Sequence, residues 1–305
     1  MMKPFTLCIF LFLSGIATSL HAQRIDSLLI ISPGLSPSVV AHGRFEVALF
    51  NQLSTLTFRQ EINGSVDTFR FSDLYHVLQV GYGVDKYNRL NLGVSALFAH
   101  NRQDGLQDRG PFSVFKGDDD QSQVYRNVAT LGVYARAIPI RRLPELTVQA
   151  GVFFPTIKDN LAKQVSGFDR TFAQLQVAFY QQLSPLFYAF ATAGGNLFFK
   201  NDFRRQTTFS VPLGLYPVVR LGHGSKTYLY GSFTYEGSFN KVTPGFLNKT
   251  FSRVQYGIGG QYYFTPDASL YLQLQFPAAI DYQSGSIDVL KKNTFSLALG
   301  GRCVI

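Results

Sequence analysis

Four histidines lie beyond the N-terminal leader, His42, His76, His100 and His223, and they are the first places to look for chemistry. A histidine beside a serine or an acid at the rim of a fold is the arrangement that hydrolytic catalysis requires. His100 is followed by the run Asp118, Asp119 and Asp120, which offers an acid–histidine pair or a cation site. The run lacks the alternating ligand spacing of an EF-hand and reads equally well as a solvated acidic loop. There is no GxSxG pattern, and the serine nearest a histidine is Ser225 in LGHGSK. There Gly222 and Gly224 supply the permissive backbone of a turn. As a phosphate-binding loop the stretch lacks a strand-to-helix setting. The acceptor patterns Asn63-Gly64-Ser65 and Asn248-Lys249-Thr250 matter little if the source is bacterial. These residues predict no enzyme, no catalytic residue, no metal and no cofactor.

The elements that would hold such side chains begin with an export signal. MMKPFTLCIFLFLSGIATSLHAQ places Lys3 before an apolar run and ends on small residues. That is the layout of a signal peptide over residues 1–22, cut between Ala22 and Gln23. The run is shorter than a spanning helix needs, and no later stretch is longer. After processing only Cys303 remains, which excludes an internal disulfide. The chain has 29 Phe and 16 Tyr but no Trp, and its charged fraction is 15%. Soluble domains carry about 25% charge, so this chain must place its apolar residues in some pattern other than long runs. The net charge of +9 comes from scattered Lys and Arg, which excludes a nucleic-acid stripe.

Alternation supplies that pattern. Twelve stretches read with period two: 43–54, 74–83, 89–99, 124–138, 146–154, 170–181, 186–198, 207–219, 227–236, 252–264, 270–277 and 293–305. Most are too long for globular strands of about 5–6 residues and match the roughly 9–11 of a tilted membrane strand. The odd-numbered gaps are long (55–73, 100–123, 155–169, 199–206, 237–251, 278–292) and the even-numbered ones short. Short periplasmic turns and long extracellular loops are the signature of an outer-membrane barrel. The fold class is therefore all-β, an antiparallel up-and-down transmembrane β-barrel of about twelve strands. A periplasmic or plug segment over 23–42 precedes the barrel over 43–305.

In SLYLQLQFP, Leu270, Leu272 and Leu274 share one face, and Gln273 and Gln275 the other. In a barrel the leucines face lipid and the glutamines face the lumen. A one-residue slip at Arg253 would turn it to lipid, costing about 2–4 kcal/mol at mid-bilayer. The same reading assigns Arg44, Glu46, Gln79, Arg89, Arg136, Gln149, Gln174, Gln176, Tyr230, Thr234, Arg253, Gln255, Gln261, Gln273, Gln275 and Arg302 to the lumen. This set is rich in Gln and Arg and poor in acids. It suits a narrow hydrated path for anions or polar neutral solutes, or a lumen filled by its own hydrogen bonds. Aromatics at strand ends, Phe45, Phe98, Tyr256, Phe264 and Phe276, are candidates for interfacial girdles. Pro212 and Pro217, with Gly194 and Gly195 in the neighbouring strand, mark a candidate wall irregularity. Proline cannot donate to a ladder, so a bulge with missing bonds is expected there, as a structural quirk or as a weakened patch where a ligand binds or leaves sideways.

SPSVVAHGRFEVALF, residues 36–50, resembles the approach to the first strand in bacterial outer-membrane barrels of the transporter type, the phenol-degradation meta-pathway family among them. Ser36, Pro37, Val39, Gly43 and Glu46 carry the similarity. It implies a barrel that passes or binds small molecules and transfers no catalytic residue. The last strand, NTFSLALGGRCVI, resembles the C-terminal strand that such barrels present to their insertion machinery, although it ends on Ile305 and not on an aromatic. The partners expected are outer-membrane lipid, that machinery and a small solute, with no nucleic acid. A rim enzyme, a plugged structural or adhesion barrel and a soluble exported sandwich remain as alternatives.

Overall fold

Twelve antiparallel strands close into one barrel. The strands are β1 (Phe45–Ile62), β2 (Ser65–Gly83), β3 (Leu90–Asp104), β4 (Ser122–Ala137), β5 (Leu146–Pro155), β6 (Phe172–Gln182), β7 (Phe187–Phe198), β8 (Thr208–Arg220), β9 (Thr227–Thr243), β10 (Phe246–Thr265), β11 (Ala268–Tyr282) and β12 (Asp288–Val304). The computed structural model describes residues 39–62, 65–104, 112–115, 122–158, 168–201, 206–243, 246–282 and 288–305. The expected signal peptide, most of the 23–42 segment and Asp118, Asp119 and Asp120 lie outside the described residues. Each strand pairs with its sequence neighbours, and β1 closes on β12 from Glu46↔Val304 to Glu61↔Asp288. The seam ends with reciprocal backbone bonds between Phe45 and Ile305 at 2.9 and 2.8 Å. Closure leaves no strand edge, the condition for an all-β chain in lipid.

Side-chain direction follows the pleat. Leu270 and Leu272 are exposed on β11, while Tyr271 and Gln273 are buried between them. The outward set includes Leu92, Val94, Leu131, Val133, Leu215, Ile258 and Leu299, all exposed large apolar residues. In water such a surface would be unstable. In a bilayer it forms the apolar band of a transmembrane barrel. Its lower rim carries Phe45, Tyr82, Phe187, Tyr262 and Phe264, and its upper rim Phe98, Phe154, Phe233, Tyr256 and Phe276. All five aromatics expected at strand ends thus stand on the outer surface. Cys303 is exposed on the same outer face.

Three of the long gaps are not loops. β1 and β2 stay paired out to Ile62↔Ser65, β9 and β10 to Phe246↔Thr243, and β12 follows β1 to Asp288. The stretches 55–73, 237–251 and 278–292 are therefore largely strand that extends the barrel on its extracellular side. Alternation disappears there because neither face meets lipid. The β3–β4 gap behaves differently. A 3₁₀ turn, Ser113–Phe115, lies against the outer face of β2 and β3, with Val114 beside Leu53 and Leu74 and the Ser113 hydroxyl 3.2 Å from that of Ser72.

The proline region corrects one expectation. β7 and β8 keep one register from Ala193↔Leu213 to Asn196↔Ser210, skipping Gly194 and Gly195 opposite Pro212. β8 and β9 skip likewise between Leu215↔Phe233 and Val218↔Tyr230, at Pro217. There is no bulge: the ladder loses pairs without losing register. Successive residues of a strand bond to opposite neighbours. The two prolines are five residues apart, so each lacks its donor towards a different strand. Glycines meet both rings, for a Cβ at Gly194 would lie 3.3 Å from Pro212 Cγ and one at Gly231 3.4 Å from Pro217 Cγ.

Candidate functional site

Inside the barrel the register brings together most of the residues assigned to the lumen. Glu46, Gln79, Arg136, Gln149, Gln174, Gln176, Tyr230, Thr234, Arg253, Gln255, Gln261, Gln273, Gln275 and Arg302 all lie at inward positions. Two of the set do not line the wall. Arg44 precedes β1 at the periplasmic rim, where its guanidinium donates to both Asp267 oxygens at 3.2 and 3.0 Å. Arg89 sits in the turn before β3, 3.7 Å from Asp85 and over the Tyr87 ring. Both positions satisfy the alternation, but the barrel ends before it reaches them.

The first cluster stands in the periplasmic half. Glu46 on β1 accepts from Arg302 of β12 at 2.5 Å and from Arg136 of β4 at 2.7 Å, one guanidinium on each oxygen. Arg136 also donates through Nε to Gln149 Oε1 at 3.0 Å. Glu46, Arg136 and Gln149 are each at most 2% exposed. Because β1 and β4 are three strands apart, the Glu46–Arg136 bond bridges non-adjacent strands over the inner wall of β2 and β3, where Glu46 Oε2 lies close to Gly81. Charge-assisted bonds of this kind are the strong ones, and at full burial they lose little to solvent.

Tyrosines occupy much of the remaining inner wall. Tyr188, Phe190, Tyr216, Tyr228, Tyr230 and Tyr263 form one buried cluster across β7–β10, while Tyr271 packs on Phe50. Each large ring needs a smooth bed, which inward glycines provide. A Cβ at Gly93 would strike the Tyr134 ring, one at Gly259 the Tyr230 ring and one at Gly300 the Tyr271 ring. Tyr134 in turn carries the Arg136 guanidinium 5.5 Å above its ring. This tyrosine–glycine pairing escaped the sequence reading. Its signal was available as inward glycines recurring within the alternating strands.

The second cluster lies in the extracellular half. Asn101 of β3 donates through Nδ2 to Asp73 Oδ1 at 2.6 Å and to the Tyr75 hydroxyl at 3.0 Å. On β10, Arg253 Nη2 donates to Glu236 Oε2 of β9 at 2.8 Å. Asp73 and Tyr75 of β2 and Glu236 and Arg253 of β9 and β10 all lie at inward positions. Glu236 and Arg253 keep 38% and 25% of their side chains exposed, so the cluster is open on that side. Asp73 fell in 55–73 and Asn101 in 100–123, both read as loops, whereas Tyr75 and Glu236 lay in the alternating stretches 74–83 and 227–236 and were not singled out. His100, by contrast, faces outward, where Arg126 donates to its Nε2 at 2.6 Å. His76 also faces outward, with Nδ1 2.6 Å from Asn51 Oδ1.

No protein-family model and no curated protein matches this sequence. The fold does have solved likenesses. An outer-membrane channel from Pseudomonas putida F1 matches with a TM-score of 0.62 at 17% identity, covering 90% of this chain and 100% of that one. The transport unit of the autotransporter AIDA-I from Escherichia coli matches with a TM-score of 0.51 at 10% identity, covering 95% and 97%. Closure, strand number and apolar band together define the class: this chain is a twelve-stranded β-barrel of the bacterial outer membrane.

Proposed function

We propose that the barrel is a narrow channel for small polar solutes, closed at rest by the Glu46 cluster. The observation that carries this reading is the polar inner wall, with the inward bond between Glu46 of β1 and Arg136 of β4. That bond narrows the lumen with side chains alone, which can part without breaking the barrel wall. Below and above it the inward groups are amides, hydroxyls and guanidinium ions, suited to a hydrated path. The resemblance of residues 36–50 to transporter-type barrels, the phenol-degradation meta-pathway family among them, points the same way, as does the likeness to a solved outer-membrane channel. In this reading the protein is not an enzyme. His76 and His100 sit on the outer wall, and Arg126 donates to the Nε2 lone pair of His100 that a general base would use.

Planar-bilayer recording of the refolded full chain tests it. Sparse openings are expected for the wild type, and frequent ones for Arg136→Met, which removes the Glu46–Arg136 bond and keeps the Glu46–Arg302 pair. A structural barrel with a filled lumen is the competing reading, favoured by the dense tyrosine packing across β7–β10. Silence of both wild type and Arg136→Met, with folding shown by heat-modifiable migration, would decide for that alternative.

A further inference from the structure

The lipid-facing wall is not uniformly high. A groove of about 840 Å³ crosses its outer surface from β2 to β6. Val80, Val94, Val133 and Val152, paired strand to strand, form the upper bank. The lower bank starts with Tyr82 and Leu92 and falls away at Ala135 and Ala150, which pair with each other. The floor between them is the backbone of Gly81, Gly93, Tyr134 and Gly151, residues of an inward rung. On the opposite wall a comparable outward row carries only large exposed side chains, Leu215, Phe233, Tyr256 and Phe276. Four inter-strand spacings of about 4.8 Å make the groove roughly 19 Å long, enough for most of an extended acyl chain.

The groove begins at the periplasmic edge, where the Phe45 and Tyr82 rings meet at 4.7 Å. Two basic turns follow directly below. The β2–β3 turn carries Lys86 and Arg89, and the β4–β5 turn carries Arg141 and Arg142. The Ile138 amide donates to the Arg89 carbonyl at 2.9 Å, which holds the two turns side by side. Of their acids, Asp85 is taken by Arg89, and Glu145 stands next to β5. Lys86, Arg141 and Arg142 are exposed and form no ion pair among the described residues. Beside them Tyr87 and Ile140 are 60% and 49% exposed, apolar surface at the same level.

We propose that the groove and these turns form a binding site for an anionic glycerophospholipid of the inner leaflet. One acyl chain lies between the banks, and the phosphate meets Lys86, Arg141 and Arg142. Tyr87 and Ile140 sink into the interface around the headgroup. Charge selects the occupant. A zwitterionic headgroup would bring an ammonium to a rim of unpaired cations, and a second copy of this chain would set those cations against their own kind. The site does not depend on whether the barrel conducts.

Native mass spectrometry of the refolded full chain in detergent tests the site, with phosphatidylglycerol and phosphatidylethanolamine of identical acyl chains as competing probes. Phosphatidylglycerol is expected to be retained at least about fivefold better, the effect of roughly one basic side chain at an anionic headgroup. Arg141→Gln with Arg142→Gln abolishes the preference, and both changes fall on an exposed turn that the barrel does not need for folding. The same charge change on the opposite rim, Lys158→Gln with Lys200→Gln, leaves it intact. Ala135→Leu with Ala150→Leu fills the groove and lowers retention of both lipids. Equal retention of the two lipids by the wild type overturns the proposal, as does a preference that survives the Arg141 and Arg142 changes or is lost equally with those at Lys158 and Lys200. A dimer that Ala150→Leu disperses would overturn it too, giving the groove to a second copy of the chain.

Discussion

The two charged clusters of the lumen use the same residue types to opposite effect. In the periplasmic half one carboxylate holds two guanidinium ions, both of its oxygens are bonded, and the group is dry. In the extracellular half Glu236 pairs with Arg253 and Asp73 accepts from Asn101, two polar atoms lack partners, and the Glu236–Arg253 pair is partly exposed. The first arrangement spends its bonding capacity within the protein and so ties β1 to β12 across the seam and to β4 over the intervening strands. The second leaves capacity unspent. Burial decides the difference, because a paired charge held away from water keeps most of its interaction energy, and a half-exposed pair keeps little.

The contrast can be broken most severely at Glu46. Glu46→Gln leaves Arg136 and Arg302 buried without a counter-charge, and denaturant unfolding in lipid vesicles should show a loss of about 3–5 kcal/mol. A loss no larger than that of an exposed pair would erase the distinction between the clusters. Gly93→Val acts on the rung that runs from Glu46 through Gly81 and Gly93 to Tyr134, pushing the Tyr134 ring out of its bed and with it the support of Arg136. Overpacking of this kind costs about 1–3 kcal/mol, and the loss should shrink when Tyr134 is shortened to alanine in the same chain. Glu236→Gln breaks a partly exposed pair, so stability should move by no more than about 1 kcal/mol. Its effect should appear in the reversal potential under a salt gradient, which shifts towards anions. The smallest effect belongs to Pro217→Ala. It restores one donor towards β9 at about 0.5–1.5 kcal/mol and gives back about 0.4–1 kcal/mol of chain entropy. The net change should be near zero, with slower amide exchange at the new alanine as the readable sign.

Much of the barrel was legible in the sequence because lipid imposes a strict rule on alternate residues. Leu270, Leu272 and Leu274 against Gln273 and Gln275 can be sorted without coordinates once the loop lengths indicate a membrane barrel. The rule lapses where lipid ends. Thr55 to Asp73 and the corresponding stretches of β9–β12 are strand without a one-sided apolar pattern, and Asn101 fell in the 100–123 gap, so Asp73 and Asn101 could not be placed together. The tyrosines show a second limit. Tyr216, Tyr228, Tyr263 and Tyr271 are buried inward, although their apolar bodies would suit either face. What selects the lumen for them is room, and room comes from glycines on neighbouring strands that only the register identifies.

The sequence by itself determined the class of fold, the strand number and the face of nearly every membrane residue. Those properties follow from local alternation and from the unequal connections, both of which are written along the chain. The tertiary structure alone decided which polar residues meet. Glu46 lies 90 residues from Arg136 and 256 from Arg302, and no local pattern links groups so far apart. Closure of β1 on β12 sets their distance, because it brings the chain ends into one wall and makes the lumen a cross-section in which non-neighbouring strands face each other. The same geometry leaves the Glu46 cluster fully bonded and the Glu236–Arg253 pair partly exposed.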